Sequence, residues 1–235
     1  MVRAFSPPTQ PDYGQTVPPL QSGDRLTCHE FERRYAAVPH IKKAELVEGI
    51  VYVASPLRFD QHAEPHSRIH GWLWTYQTLT PGLRLGIEPT VRLDWDNDLQ
   101  PDIVLLLDEA AGGRAKLTED GYLEGVPELV VEVAASSAAI DSGSKKHVYR
   151  RNGVLEYVIW QSYENRIVWF CLIDGEYQLL SADSDGIIRS RTFPGLWLAV
   201  DSLLNNQMMR VLEVLQAGLR SQEYQTFAAG LQQMG

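Results

Sequence analysis

The sequence predicts a mixed α/β fold, and three observations lead to this prediction. Short apolar runs typical of strands alternate with segments of helical periodicity. A strand around Glu132, a helix around Lys145 and a strand from Val154 follow one another in the order of a βαβ unit. That order predicts a parallel pair of strands with a right-handed crossover. A length of 235 residues suits one large domain.

The first elements are an irregular arm and a helix. Residues 1–24 contain five prolines and few apolar side chains, which predicts a flexible arm outside the core. Thr27 is a suitable N-cap, and Glu30 three residues later completes a capping box. The helix that starts there is expected to run to about Tyr35.

A hairpin, a helix and a strand are predicted next. Residues 45–53 have strand composition around a turn at Glu48 and Gly49. Pro65 is expected at the first position of a helix that ends at residues 81–82. Residues 83–93 alternate as a strand, and a polar turn separates them from the next strand.

The second half is predicted to contain more strands than helices. Residues 108–125 have the composition of a loop, and residues 141–151 are expected to be helical, with Gly153 as a stop signal. Strands are expected at 154–160, 166–173 and 176–180, and a helix at 196–219. The predicted domain spans residues 25–220, between the arm at 1–24 and a C-terminal tail at 221–235.

Composition and charge exclude several classes of protein. Hydrophobic residues make up 44% and charged residues 22%, as in ordinary globular proteins. The sequence predicts no membrane span and no secretory signal. Cys28 and Cys171 are far apart, so we expect no disulfide and a reducing, cytoplasmic environment. A net charge of −9 argues against a broad basic face for nucleic acid, although acidic metal ligands in a nuclease also contribute negative charge.

Two carboxylates lie in or beside apolar strands. Asp102 precedes the run Ile103–Leu107, and Glu132 lies inside the run Leu129–Val133. A buried ionised group is costly unless it has a partner. These two carboxylates could share a divalent cation, and Lys145 could stabilise charge on a substrate. The combination favours a metal-dependent phosphodiesterase.

The order and spacing of several short motifs resemble those of the Uma family of restriction endonuclease-like proteins. This family is abundant in cyanobacteria and is similar to the PD-(D/E)xK nuclease superfamily. The resemblance covers most of residues 27–205. The matching stretches are Ala44 to Gly49, Ala54 to Pro56, Pro65-His66, Pro101-Asp102, Pro127 to Val133, Tyr149 and Gly153 to Tyr157.

The resemblance implies a restriction endonuclease-like αβββαβ core, with a mixed central sheet flanked by helices. It also implies that Asp102 and Glu132 are ligands of Mg²⁺ or Mn²⁺, a choice that hard carboxylate oxygens suit. The superfamily lysine usually lies two residues after the glutamate, but Ala134 occupies that position here. The resemblance assigns the role to Lys145, on the following helix.

Three further residues have open roles. Glu45 is either a further active-site carboxylate or an exposed edge residue. His66 either lines the active cleft, as a family histidine does, or serves to cap and pack its helix. Asp141, four residues before Lys145, is expected to form an ion pair or an N-cap within the helix.

The histidines of the same region permit a different hypothesis. His62, His66 and His70 are spaced four residues apart, and the HxxxH pattern can bind zinc. The glutamate of HExxH is absent, because Ser67 follows His66. A zinc hydrolase built on His66 and His70 is therefore the weakest hypothesis.

The favoured function is a divalent-metal-dependent endonuclease that hydrolyses DNA. Asp102 and Glu132 would bind the metal, Lys145 would stabilise charge, and Glu45 and His66 would assist. A homodimer is expected by analogy, because cutting both strands requires two active sites. The alternative is a catalytically silent module that binds nucleic acid or protein, which Ala134 and the net charge favour.

Overall fold

The structure, a computed structural model, describes residues 17–135 and 137–234. The helices are α1 (Cys28–Ala36), α2 (Glu64–Leu79), α3 (Ala138–Ile140), α4 (Lys146–Asn152), α5 (Val200–Leu204), α6 (Met208–Gly218) and α7 (Gln222–Met234). π-Helical turns at Phe59–Ala63 and Asp141–Lys145 precede α2 and α4, and a 3₁₀ turn covers Glu109–Ala111. The strands are β1 (Ala44–Val47), β2 (Ile50–Val53), β3 (Leu83–Ile87), β4 (Val91–Asp94), β5 (Asn97–Leu99), β6 (Ile103–Leu107), β7 (Ala115–Leu117), β8 (Leu123–Gly125), β9 (Leu129–Ala134), β10 (Glu156–Gln161), β11 (Arg166–Ile173), β12 (Glu176–Leu179), β13 (Ile187–Arg189) and β14 (Trp197–Ala199).

Two six-stranded sheets form the body of the protein. We call the sheet β12-β11-β10-β9-β6-β3 the central sheet and the sheet β2-β1-β5-β4-β8-β7 the outer sheet. In the central sheet β9 and β10 run parallel, and the other neighbours are antiparallel. The segment between β9 and β10 carries α3 and α4. The mixed α/β class and the parallel β9–β10 pair are therefore confirmed.

The two faces of the central sheet bury different layers. Leu129, Val131 and Val133 of β9 pack into the main core with α2, α6 and α7. Val130 and Ala134, at the alternate positions, pack into a second core with the outer sheet and α4. Because side chains alternate along a strand, Glu132 faces the outer sheet. The cavity that Glu132 lines also lies on that side of the central sheet.

Local sequence patterns explain the start of α1 and α2. The Thr27 side chain accepts a hydrogen bond from the Glu30 backbone N–H at 3.4 Å, so the N-cap is confirmed. The Glu30 carboxylate binds Arg33 and Arg34 instead of returning to the cap. Helix α2 begins at Glu64, one residue earlier than predicted.

Two predicted regions differ from the structure. The strand predicted at 83–93 is two strands, β3 and β4, and between them Glu88 has a left-handed backbone with a φ of 49°. Residues 108–125, predicted as a loop with room for one helical turn, contain the 3₁₀ turn and also two short strands that were not predicted, β7 and β8. Three-residue strands are too short for an alternating pattern to be recognised.

The chain termini also differ from the predicted arm, domain and tail. Residues 1–16 of the predicted arm lie outside the described residues, but Leu20 is buried against α1. Residues 196–219 start with β14 and continue as α5 and α6. Helix α7 covers most of the predicted tail, yet Tyr224 and Leu231 belong to the main core. Among the described residues, no helix is long and apolar enough to cross a membrane.

Candidate active site

Strand alternation brings three predicted carboxylates to one cavity between the sheets. Glu45 shares its side of β1 with Val47, which packs in the second core. Asp102 is two residues before Val104, another member of that core. Glu132 lies between Val131 and Val133 and faces away from them. These periodicities place all three carboxylates on facing surfaces of the two sheets.

The cavity has a volume of about 270 Å³. Its polar lining combines four carboxylates with two lysines and a histidine. These residues are Glu45, Asp102, Glu132, Asp141, Lys43, Lys145 and His62. The four carboxyl groups outnumber the two ammonium groups, so the cavity is suited to an additional cation.

Asp102 is held as a carboxylate by three neighbours. Its Oδ1 atom is 2.9 Å from Lys43 Nζ, and its Oδ2 atom accepts the Val133 backbone N–H at 2.7 Å. His62 Nε2 is 3.1 Å from the same Oδ2 atom. Burial alone would raise the pKa of Asp102, but His62, Lys43 and the Val133 N–H together lower it below its ordinary value.

Glu132 has a different electrostatic environment. Its Oε1 atom accepts hydrogen bonds from Lys145 Nζ and the Tyr149 hydroxyl, both at 3.0 Å. Burial, together with the charges of Asp141, Asp102 and Glu45, outweighs the attraction of Lys145. These effects raise the pKa of Glu132 to about 8. The pKa values of these two neighbouring carboxyl groups are therefore shifted in opposite directions.

Lys145 is shared among three carboxylates. Its Nζ atom is 2.8 Å from Glu45 Oε1, 3.0 Å from Glu132 Oε1 and 3.5 Å from Asp141 Oδ1. Despite complete burial, these charges raise the pKa of Lys145 well above its ordinary value. Lys145 is thus a permanent ammonium group. It reaches Glu132 from the end of the π-helical turn Asp141–Lys145, while Ala134 is buried in β9.

The two alternatives for Glu45 and Asp141 can now be compared with the structure. Glu45 is only 8% exposed and also accepts the Gln100 backbone N–H at 2.8 Å, so it is not an exposed edge residue. Asp141 is close to Lys145, as an intrahelical ion pair requires. It also lines the cavity, which the sequence did not indicate.

His66 is not brought into this cavity. It lines a neighbouring cavity of about 350 Å³ with His70 and Glu88. Its ring packs edge-on against His62 with centroids 5.6 Å apart, and burial lowers its pKa. His62, one helical turn earlier, is the histidine that contacts Asp102. Of the predicted set, the structure assembles Asp102, Glu132, Lys145 and Glu45.

Lys43 and His62 were missed by the sequence analysis. Lys43 is two residues before Glu45, so strand alternation extended by one residue would have placed both on the same side. His62 was considered only as part of a zinc pattern. Its placement depends on the π-helical turn Phe59–Ala63, which no local sequence pattern indicates.

The residues present fit a magnesium-type cation better than a zinc ion. No group of three or more His, Cys, Asp or Glu side chains that could hold a metal ion occurs in 17–135 or 137–234. Zinc sites need three or four such ligands. Mg²⁺ commonly uses one or two carboxylates, with water and substrate phosphate completing its shell. Asp102 and Glu132 are two hard oxygen donors of this kind in the lining of one cavity.

Comparisons with known proteins identify the family of this chain. Residues 28–201 match the profile of the Uma2 family, described as putative restriction endonuclease. Since this match covers most of the chain, the protein belongs to the Uma2 family. No match was found among curated proteins.

A solved structure supports the fold. A protein from Anabaena variabilis, described as a putative nuclease belonging to DUF820, superposes with a TM-score of 0.52 and 15% sequence identity. The similarity covers 74% of this chain and 96% of the other. At this identity the likeness concerns the fold, and the predicted restriction endonuclease-like class is confirmed.

Proposed function

We propose that this Uma2-family protein is a divalent-metal-dependent endonuclease that hydrolyses phosphodiester bonds of DNA. Asp102 and Glu132 are the metal ligands in this proposal, and Mg²⁺ or Mn²⁺ is the cofactor. The observation that carries it is the meeting of both buried carboxylates with Lys145 in one cavity. The family match supports a nuclease-like activity.

The charges of the cavity suit phosphodiester hydrolysis. When bound, a divalent cation supplies an activated water and offsets charge on the phosphate. Lys145 stays protonated, so its role is to stabilise negative charge rather than to act as a base. Glu45 and Asp141 orient the Lys145 ammonium from two further directions. The position of Lys145 next to Glu132 compensates for the alanine at position 134.

Lys43 and His62 position Asp102, one of the two proposed metal ligands. Lys43 fixes Oδ1 of Asp102, while His62 and the Val133 N–H fix Oδ2. Partners of this kind hold ligand carboxylates in one orientation. Lys43 is also the more exposed of the two lysines, at 18% against 4% for Lys145. It is therefore the better placed of the two to meet an approaching phosphate.

The proposal is tested by calorimetric titration of Mn²⁺ into the wild-type protein and into Asp102→Asn. Asp120→Asn is the matched control, since Asp120 is a surface carboxylate that binds Arg92. We expect Mn²⁺ binding in the wild type and the control, and its loss in Asp102→Asn. Cleavage of plasmid and oligonucleotide DNA, with Mg²⁺ or Mn²⁺, should likewise occur in the wild type and the control and be lost in Asp102→Asn.

A folded wild-type protein that neither binds Mn²⁺ nor cleaves DNA in its presence would contradict the proposal. The silent-module hypothesis would then explain the lysine pairing of both carboxylates as a purely structural arrangement. We also propose a homodimer, because two active sites are needed to cut both strands. Sedimentation at several protein concentrations measures this directly, and a strictly monomeric protein would contradict it.

A further inference from the structure

A buried tyrosine on α4 contacts one of the two proposed metal ligands. Tyr149 is fully buried, and its hydroxyl donates to Glu132 Oε1 at 3.0 Å. Lys145 precedes Tyr149 by four residues, which places both side chains on one side of the helical segment. Its Nζ atom reaches the same Oε1 atom, also at 3.0 Å. The stabilisation of charge by Lys145 does not require this second donor, so the Tyr149 hydroxyl has another role.

The two donors meet only one of the two carboxylate oxygens. Within residues 17–135 and 137–234, both hydrogen bonds to the Glu132 carboxylate reach Oε1, and none reaches Oε2. Oε2 is also not one of the enclosed side-chain atoms that lack a partner. Because Glu132 lines the catalytic cavity, Oε2 is the oxygen that is left open to it. A single free carboxylate oxygen is a suitable donor for Mg²⁺ or Mn²⁺.

Lys145 does not fix this orientation by itself. Its ammonium group is shared with Glu45 at 2.8 Å and Asp141 at 3.5 Å. An ammonium on a flexible stem acts as a point charge, so it attracts either oxygen of a carboxylate. The Tyr149 hydroxyl donates a single hydrogen, and a tyrosine side chain has only two torsions. The hydroxyl therefore determines which oxygen of Glu132 faces the cavity.

The Tyr149 ring is itself held in place by packing. It contacts the ring of Tyr157 in the second core, with centroids 4.9 Å apart. The Tyr157 hydroxyl donates to the Asp141 backbone carbonyl at 3.0 Å, in the π-helical turn that carries Lys145. Groups that orient a ligand act best when their own side chains are locked by packing. The aromatic contact thus supports both donors of Glu132.

We propose that Tyr149 is a positioning residue of the metal site. Its hydroxyl binds Glu132 Oε1 and keeps Oε2 directed into the cavity for a divalent cation. This inference rests on the proposed metal site and assigns to Glu132 what Lys43 and His62 provide for Asp102. The Tyr149 hydroxyl is neutral, so it orients the carboxylate without adding a positive charge that repels the cation.

The test is calorimetric titration of Mn²⁺ into Tyr149→Phe, which keeps the ring and removes the hydroxyl. We expect binding about 10-fold weaker than in the wild type, because loss of a group that orients a ligand typically costs 10–100-fold. Tyr76→Phe is the matched control and should bind Mn²⁺ as the wild type does. Tyr76 is also fully buried, but its hydroxyl donates to the Pro194 carbonyl in the main core.

Two further measurements separate positioning from packing. Excess Mn²⁺ should restore DNA cleavage by Tyr149→Phe nearly to the wild-type rate, whereas a packing defect would persist at every Mn²⁺ concentration. Mn²⁺ should also change the ultraviolet absorption of tyrosine in the wild type, because the bound cation draws charge away from the hydroxyl's acceptor. An unchanged spectrum with Mn²⁺ bound would overturn the positioning role even if Tyr149→Phe does not fold.

The titrations also separate this inference from the proposed function. Equal Mn²⁺ affinities of the wild type and Tyr149→Phe would overturn the positioning role and leave the metal site intact. A folded wild-type protein that binds no Mn²⁺ would overturn both.

Discussion

Two glutamates on neighbouring strands of the central sheet are equally buried but differ in their partners. Glu132 on β9 is 3% exposed and faces the outer sheet, where charged groups surround it. Glu156 on β10 is fully buried and faces the main core with Val158 and Trp160. The strands run parallel, with Glu156 opposite Leu129.

Uncharged donors satisfy Glu156. Its oxygens accept hydrogen bonds from the Trp169 indole, the Ser190 hydroxyl and the backbone N–H groups of Arg191 and Thr192. These bonds attach the segment before β14 to the central sheet. Glu132 has Lys145 and Tyr149 as donors and three carboxylates as neighbours. The two buried acids therefore differ in their surroundings, which are uncharged donors at Glu156 and a cluster of charged groups at Glu132.

The largest expected difference concerns metal binding and catalysis. We expect Glu132→Gln to abolish Mn²⁺ binding and to reduce DNA cleavage by about 10³-fold or more, because it removes a metal ligand. Glu156→Gln should retain both activities per folded molecule. Calorimetry and cleavage rates, normalised to the folded fraction, measure the difference. Equal losses in the two variants would show that both glutamates are structural.

The second difference concerns the free energy of unfolding, on which Glu156→Gln should have the larger effect. Glu156→Gln directs an amide NH₂ group at donors that need an acceptor, at a cost of about 2–3 kcal/mol. Glu132→Gln replaces a carboxyl group that is protonated below about pH 8 with an amide of nearly the same size, so it should leave the free energy of unfolding at neutral pH nearly unchanged. Urea unfolding with a metal chelator measures both. Glu176→Gln is the control, since Glu176 is an exposed partner of Arg150.

The third difference concerns the pH dependence of metal binding. Glu132 has a pKa of about 8, so below that pH Mn²⁺ must displace a proton. We expect the Mn²⁺ affinity to increase by up to about tenfold per pH unit between pH 6 and 8 and then to level off. Titrations in buffers of different ionisation enthalpy count the released protons. An affinity independent of pH across this range would show that Glu132 is already ionised.

The same pKa determines how the metal-free protein responds to pH. An ordinary glutamate ionises near 4.5, whereas folded Glu132 retains its proton to about 8. The folded state therefore binds more protons between these values, and this group lowers stability as pH rises through that window. The slope is at most about 1.4 kcal/mol per pH unit. It should be smaller in Glu132→Gln than in the wild type.

Much of the fold and part of the site could be predicted from the sequence. The strand around Glu132, the helix with Lys145 and the parallel strand β10 follow from apolar runs and the stop at Gly153. These patterns involve residues close together in the sequence, so the elements that they predict do not depend on how the sheets pack. The convergence of Glu45 with Asp102 depends on how two sheets pack, and the sequence analysis left it open.

The parts that the sequence did not predict depend on irregular geometry or on long-range contacts. Helix α7 begins only three residues after Leu219, and its Tyr224 hydroxyl donates to the Leu79 carbonyl at the end of α2. The Lys43 side chain donates a hydrogen bond to Asp102, although the two residues are 59 positions apart in the sequence. The prediction for His66 was based on its match to a family histidine next to Pro65, whereas the histidine that contacts Asp102 is His62, in the π-helical turn before α2.

The smallest expected difference separates these two histidines. His62→Ala removes a partner of Asp102 and should reduce DNA cleavage by about 10-fold, because loss of a group that orients a ligand typically costs 10–100-fold. His66→Ala should change the rate by less than about 3-fold, since His66 lines a different cavity. Thermal unfolding of both variants controls for packing losses, because the two rings contact each other. A larger effect at His66 than at His62 would restore the sequence-based assignment and would require the neighbouring histidine cavity to open onto the substrate.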